Sequence, residues 1–196
     1  MSIDTLLGVV IGLGLAAACG FRVFVPLLVM GAAARLGHFD PSPGFAWLAT
    51  TPALIAFGVA TAVEIAAVHV TWLDHLLDVV AAPLAVLAGA VTMAGALGEV
   101  SPLLRWSFAL IAGGGTAGLF HGLNGLMRAG TAVTTAGFGN PLFATLETGG
   151  AFAIAAAAVL IPVLGLLLAV AAVFAVWRLA RRAAFRQRRP DRKSVV

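Results

Sequence analysis

The amino-acid sequence predicts an all-α protein, a polytopic bundle whose helices cross a membrane about five to seven times. Hydrophobic residues make up 61% of the chain and charged residues only 10%, whereas soluble domains carry about 25% charged residues. The mean hydropathy of +1.06 agrees with this class of protein. Glycine and proline interrupt the apolar stretches, which predicts broken or kinked helices. The lipid bilayer is therefore the first partner that the sequence implies.

Two apolar stretches, Thr5–Cys19 and Phe21–Leu36, open the chain. They predict either one long kinked helix or two short helices. Gly20 and Pro26 predict a helix break, because glycine weakens a helix and proline removes an amide donor. Arg22 lies inside this break. An arginine at mid-depth in hydrocarbon costs roughly 2.5–3.5 kcal/mol, so we expect it to face protein or water.

The middle of the chain alternates between loops and apolar segments. Glycine and proline predict a loop at 37–44 and a turn at 98–102. Between them lie a span from Trp47 to Val68, which carries Glu64, and an apolar segment from Val79 to Leu97.

The stretch Thr71–Asp78 has one polar face and one apolar face, which predicts a short amphipathic segment in the headgroup region. Asp74, His75 and Asp78 are weak candidates for a metal site. A solvated interfacial face explains them more simply, so no metal and no other cofactor is predicted.

The next span, Leu103–Met127, carries glycines at every fourth position, Gly114, Gly118 and Gly122. Such a ridge predicts close helix packing. The polar stretch 129–141 predicts an outside loop or a non-helical stretch that lines a cavity, with a helix break at Asn140 and Pro141. The last apolar stretch, 142–178, is too long for one crossing and predicts two helices that turn near 162–165, or one long helix.

Eight of the twelve basic residues lie between Arg178 and Lys193. Because cytoplasmic segments are rich in Lys and Arg, the sequence predicts a bacterial inner-membrane protein with a cytoplasmic C-terminus. Residues 1–180 are expected to form a single transmembrane domain, and 181–196 a basic, disordered tail. A cluster of basic residues in one tail does not favour a nucleic-acid partner. The single cysteine, Cys19, excludes an intrachain disulfide.

Residues 1–78 and 100–180 predict an internal, inverted repeat. Each half has a glycine-rich helix, an arginine (Arg22 or Arg128), an irregular stretch that contains proline, and a span with a single glutamate (Glu64 or Glu147). Inverted repeats with interrupted helices are a recurrent plan in transporters.

His121, Asn124 and Arg128 lie on one face of a helix by their spacing. With Arg22, Glu64 and Glu147 they are the candidate substrate-binding residues, because ionisable groups within apolar spans commonly mark solute pathways. Two simpler readings stay open. Arg128 caps its helix and extends to the interface, or the arginines and glutamates form ion pairs that only hold the bundle together.

The stretch from Gly20 to Pro26 resembles the Gly-x-Arg-x-Phe-x-Pro opening of a bacterial membrane family, domain of unknown function 4126. Glu64, Asp74 and Asp78 resemble its first acidic stretch, and the run from His121 through Arg128, Asn140-Pro141 and Glu147 resembles its second block. The chain differs from the family pattern at Val68-His69, Asn124 and Thr148, where charged residues are expected. The resemblance implies a helical membrane fold and no assigned activity.

The sequence favours a small transporter or channel-like protein for a small solute, with an anion as one option. The alternative is a non-catalytic scaffold or assembly protein that associates through the glycine ridge. The recognisable catalytic motifs are missing from the sequence, so no enzyme is predicted. An intramembrane enzyme that uses Asp74, His75 and Asp78 is a third and weaker option. A homodimer is expected by analogy with other small transport proteins.

Overall fold

The computed structural model describes residues 3–67, 71–135, 140–171, 174 and 178, and all regular elements within them are helical. The predicted all-α class is therefore confirmed for this part of the chain. The predicted tail at 181–196 lies outside the described residues. The elements are α1 (Ile3–Cys19), α2 (Phe24–Arg35), a 3-10 turn (Ala46–Ala49), α3 (Thr51–Ala67), α4 (Thr71–Ala96), α5 (Pro102–Phe108), a π-helical segment (Ala109–Gly114), α6 (Gly115–Thr135), α7 (Asn140–Leu160) and α8 (Pro162–Ala171).

Helices α1 and α2 form an antiparallel hairpin, so the two-helix prediction for this region is correct. Gly12 in α1 packs on Met93, and the Met30 methyl group of α2 lies against Gly95. Since both contacts are with the last turns of α4, residues 12 and 30 lie at the same height, and the chain reverses between them. The reversal is closed by the amides of Gly20 and Phe21, which donate to the carbonyls of Ala17 and Ala18 at 3.1 Å.

One end of the bundle is formed by the connections 36–50 and 97–101, and we call it the loop end. The Ser42 amide donates to the Gly95 carbonyl at 2.8 Å. The Arg105 guanidinium donates to the carbonyls of Pro43 and Gly98 at 3.3 and 3.0 Å. These bonds join the two connections beside the start of α5. The hairpin tip between α1 and α2 therefore points away from the loop end.

A second hairpin joins α7 to α8, as one of the two predictions for this region required. Gly165 of α8 packs directly on Ala158 of α7. In a continuous helix these residues would be separated by about 10 Å. The chain therefore turns back at Ile161, and Pro162 begins the returning helix, where proline needs no amide partner.

Two predicted boundaries were wrong. Thr71–Asp78 is not a separate segment, because α4 continues through it to Ala96. Val79 follows Asp78 directly, with no glycine or proline at the junction, and α4 also continues through Pro83. Likewise, 129–135 is not irregular but completes α6, even though glycine and threonine are weak helix formers.

The helical run Pro102–Arg128 is the one helix in the described residues that is long and apolar enough to cross a membrane. The other apolar helices have 10–17 residues. Its glycines allow close packing on α4. Gly113 lies against the Gly89 backbone, and Gly114 and Gly118 lie against Val86, whereas a Cβ at Gly122 would meet none of the described residues within 4 Å.

Small residues fill the interior of the bundle and large apolar residues cover its outside. Of the 30 buried hydrophobic residues among those described, 16 are alanines. Large apolar side chains are exposed along α3, the π-helical segment, α6 and α8, for example Ile55, Val59, Ile111, Leu119 and Leu167. Soluble domains bury such side chains, since each one removed from water contributes about 1.5–3 kcal/mol. The apolar helices thus indicate membrane association.

Candidate functional site

Arg22 lies at the tip of the α1–α2 hairpin and is buried, with 4% of its surface exposed. Its Nη1 donates to the Glu64 carbonyl at 3.2 Å, and its Nη2 donates to the Ala144 carbonyl at 3.4 Å. The same Nη2 lies 3.5 Å from Oε2 of Glu147. One guanidinium group therefore connects the hairpin tip to both α3 and α7.

The Glu64 side chain caps the N-terminus of α2. Its Oε1 accepts a hydrogen bond from the Val23 amide at 2.8 Å, and its Oε2 accepts one from the Phe24 amide at 3.4 Å. Val23 provides no cap of its own, and the first amides of a helix have no partner within the helix. A carboxylate there also interacts favourably with the helix dipole.

Pro26 fits the same arrangement, although it was predicted only as a helix breaker. It lies in the first turn of α2 and is fully buried. A proline in that turn removes an amide that would otherwise need an acceptor. The helix break therefore lies between Cys19 and Phe24, and Pro26 begins the second helix rather than ending the first. Gly20 lets the tip approach α6, because a Cβ there would meet Phe120 and the Ala117 carbonyl.

Glu147 is the centre of the cluster. Its Oε1 accepts a hydrogen bond from Asn124, and its Oε2 accepts one from Arg128 at 3.3 Å in addition to the Arg22 contact. Asn124 and Arg128 are one turn apart on α6 and so present both donors to the same carboxylate. The side chain of Glu147 is only 3% exposed. A buried charge of this kind is tolerated only when it is paired and hydrogen-bonded.

The cluster has a closed side and an open side. Arg22, Asn124 and Glu147 are buried, whereas the Arg128 side chain is 24% exposed and Glu64 is half-buried. Two buried polar atoms in this group, Arg22 Nε and Asn124 Oδ1, have no hydrogen-bond partner in the described part of the chain. Among the described residues, the cluster is therefore least covered on the side of Arg128 and Glu64.

Five of the six candidate binding residues thus belong to one hydrogen-bonded network. The sixth, His121, is half-buried one turn before Asn124, with its backbone amide beside Gly20. Within the described residues its ring makes no hydrogen bond or ion pair to the cluster. The reading in which Arg128 only caps the end of its helix does not hold, because α6 continues seven residues further and Arg128 contacts Glu147.

The remaining predicted positions lie at the starts of α7 and α4. Asn140 and Pro141 begin α7, as the predicted helix break requires. Asp74, His75 and Asp78 lie in the first turns of α4, and their side chains are outside the described set.

Sequence reasoning missed the backbone groups that complete the site. The carbonyls of Glu64 and Ala144 and the amides of Val23 and Phe24 carry four of its hydrogen bonds. Side-chain patterns carry no signal for such groups. It also missed Thr61, which is buried one turn before Glu64 and has no partner for its hydroxyl among the described residues. Its spacing of three from Glu64 could have indicated it.

Several residues of the motifs that resemble a known family lie within this site: Arg22 is at the hairpin tip, and Glu64, Arg128 and Glu147 surround it. The chain belongs to the family described as Domain of unknown function (DUF4126). The family matches residues 9–182, which include the whole charged cluster. No curated protein and no solved structure matches the chain. The description of the DUF4126 family names no activity, so a function has to be argued from the site itself.

Proposed function

We propose that this DUF4126 protein is a small integral membrane transporter or channel-like protein for a small anionic solute. One observation carries the proposal: three donors from the hairpin tip and α6 converge on one buried carboxylate beside a helix break. Within a membrane, such groups are costly and are commonly kept where solutes or ions pass. The proposal includes no catalytic step.

The surface of the bundle supports the membrane assignment. Helices in lipid pack through small residues, and here alanine fills the interior while large apolar side chains face outward. Trp47 and Trp106 are both exposed close to the loop end. Exposed tryptophan is typical of a membrane–water interface. The loop end would therefore lie at one membrane surface.

We further propose an orientation. Because α8 runs back along α7, the eight basic residues from Arg178 onward would follow on the side opposite the loop end. The positive-inside rule then makes that side cytoplasmic and the loop end periplasmic in a bacterial inner membrane. The α1–α2 and α7–α8 hairpins would enter the membrane from opposite sides.

The roles of the site residues follow from their positions. Arg22, Arg128 and Asn124 would contact the solute, and Glu64 and Glu147 would balance their charge, while His121 lies near enough to influence the pathway. The described conformation is closed, since Arg22 is buried against Glu147. Transport therefore requires Glu147 to leave the two guanidinium groups, with entry from the exposed side of Arg128.

The test is anion flux in liposomes that contain the purified protein. Vesicles loaded with acetate, chloride or phosphate are diluted into a buffer that lacks the loaded anion, and the efflux of that anion is measured with and without protein. We expect efflux of at least one anion, and Arg128→Gln should reduce it about tenfold or more, a loss of roughly 1.4 kcal/mol. The matched control, Arg35→Gln, changes an exposed arginine at the loop end and should leave efflux unchanged. Equal efflux from Arg128→Gln and wild-type vesicles argues against transport through this site.

A second candidate is the scaffold that associates through α6. Of the ridge glycines, Gly114 and Gly118 pack on Val86 within the chain, whereas a Cβ at Gly122, or at the neighbouring Gly125, would meet nothing within 4 Å among the described residues. Exposed Leu119 and Leu126 flank Gly122 and Gly125. A second copy of the chain could pack on this face, which would also give the expected homodimer. Gly122→Leu should then shift the purified protein from dimer to monomer in detergent, whereas Gly118→Leu would disturb packing within the chain.

A further inference from the structure

We propose that the donors around Glu147 form a binding site for a small monocarboxylate, which the Glu147 side chain itself occupies in the closed conformation. The inference rests on the proposed function, because it names the class of solute that the transport site would accept. It makes Glu147 an internal competitor of the solute rather than only a structural ion-pair partner.

The first argument is the shape of the group that fills the site. Both oxygens of a planar carboxylate are bound: Oε1 by Asn124, and Oε2 by Arg22 and Arg128. Guanidinium groups are well matched to planar, two-oxygen acceptors. A chloride ion offers only one centre to these separated donors, so it would leave part of the donor set unused.

The second argument is charge. Once Glu147 withdraws, two guanidinium groups and the Glu64 carboxylate remain, which leaves one net positive charge among the described side chains of the cluster. A monovalent anion restores neutrality in this buried site. A phosphate dianion would leave an excess negative charge, which is costly away from water.

The third argument is the two unused polar atoms. Arg22 Nε is a donor and Asn124 Oδ1 is an acceptor, both lie in buried side chains, and neither has a partner in the described part of the chain. Buried polar groups are normally hydrogen-bonded. A solute carboxylate, unlike the tethered Glu147, is free to shift toward Nε, and a water molecule that accompanies it could donate to Oδ1.

The test removes the internal carboxylate and supplies a free one. Glu147→Ala deletes a CH₂–COO⁻ unit, so acetate matches the vacated volume. The purified variant is heated in detergent with sodium acetate or sodium chloride at equal ionic strength. We expect acetate to raise the Tm of E147A by roughly 3–6 °C once its concentration exceeds the dissociation constant tenfold. The wild-type protein, whose site is occupied, should show the same Tm in both salts.

The matched control is Glu147→Gln, which removes the charge but keeps the volume. It should gain nothing from acetate, because its amide fills the site. An equal Tm of E147A in acetate and chloride overturns the proposal. If E147A is recovered only in buffer that contains acetate, the proposal is supported, and if E147Q folds while E147A is recovered in neither salt, it is overturned.

The binding test and the flux test can fail separately. Acetate rescue of E147A without anion flux in wild-type vesicles would show a carboxylate site in a protein that does not transport. Anion flux in wild-type vesicles without acetate rescue of E147A would support the transport proposal and contradict the monocarboxylate site.

Discussion

At the scale of single residues, Arg22 is the side chain on which the site depends. Its guanidinium group donates hydrogen bonds to backbone carbonyls of α3 and α7 and forms an ion pair with Glu147. Removing one partner of a buried ion pair leaves an uncompensated charge and costs about 3–5 kcal/mol. We therefore expect Arg22→Ala to lower the stability of the purified protein by about that amount, measured by thermal unfolding in detergent.

Arg35→Ala is the matched control, because Arg35 is exposed and bonds only the Thr51 hydroxyl among the described residues. It should cost no more than about 1 kcal/mol. A loss for Arg22→Ala as small as that of the control would mean that Arg22 is solvated and that the buried cluster does not exist as described.

Glu64 makes a different kind of contribution, since its carboxylate caps a helix that begins in another part of the chain. Glu64→Gln keeps one acceptor oxygen but turns the other into a donor that faces an amide. The expected cost is about 1–2 kcal/mol, measured by the same unfolding assay. Glu99→Gln, at an exposed position in the connection 97–101, is the control and should be neutral. Equal stabilities of the two variants would contradict the cap.

The charged residues of the site could be predicted because an ionised group in an apolar stretch needs a reason to be there. Their pairing could not. The side chain that Arg22 contacts is Glu147, 125 positions away, while the nearer Glu64 offers Arg22 only its carbonyl. Helix packing decides which carboxylate contacts a given guanidinium group. That packing cannot be read directly from the sequence.

At the scale of elements, the α1–α2 hairpin depends on the close approach of its tip to α6. A Cβ at Gly20 would meet Phe120 and lie 2.8 Å from both the Ala117 carbonyl oxygen and the His121 amide nitrogen. Backbone atoms cannot move aside cheaply, so we expect Gly20→Ala to destabilise the protein by about 1–3 kcal/mol. Because the tip carries Arg22, the variant should also reduce anion flux.

Gly122→Ala is the control for this prediction, since a Cβ there has no neighbour within 4 Å in the described part of the chain. Alanine is a better helix former than glycine by about 1 kcal/mol, so the control should be neutral or stabilising. If both alanine variants unfold at the wild-type temperature, the hairpin tip does not pack on α6 as described.

Element boundaries show where pattern reasoning worked and where it failed. Proline and glycine correctly predicted the turn at Pro162 and the break near Gly20, because these residues act on the backbone locally. The polar face of Thr71–Asp78 predicts a short separate amphipathic segment, and α4 instead continues through it to Ala96. The polarity of a stretch influences where its helix lies. A helix ends only where a residue such as proline or glycine breaks it, or where it loses the element that it packs against.

At the scale of the whole molecule, sequence composition predicts a membrane protein, and the alanine-rich interior and the large apolar side chains on the exterior agree with that prediction. Composition does not specify how the helices are arranged. The two hairpins with opposite directions emerge only from contacts such as Met30 with Gly95 and Gly165 with Ala158. Together these contacts put the charged cluster at the hairpin tip and away from the loop end.

The proposed orientation predicts which parts of the chain water-soluble reagents reach in intact cells. In a Cys19→Ala background, single cysteines replace Glu99 in the connection 97–101, Val59 on the exposed apolar face of α3, and Ser194 in the basic tail. We expect a membrane-impermeant maleimide to label the cysteine at 99 from outside and the cysteine at 194 only after permeabilisation. The cysteine at 59 should stay unlabelled in both conditions, because lipid covers a side chain that the protein leaves exposed.

Labelling at 59 in intact cells would mean that α3 faces water. Labelling at 194 from outside would reverse the orientation, so that the open side of Arg128 would face the periplasm.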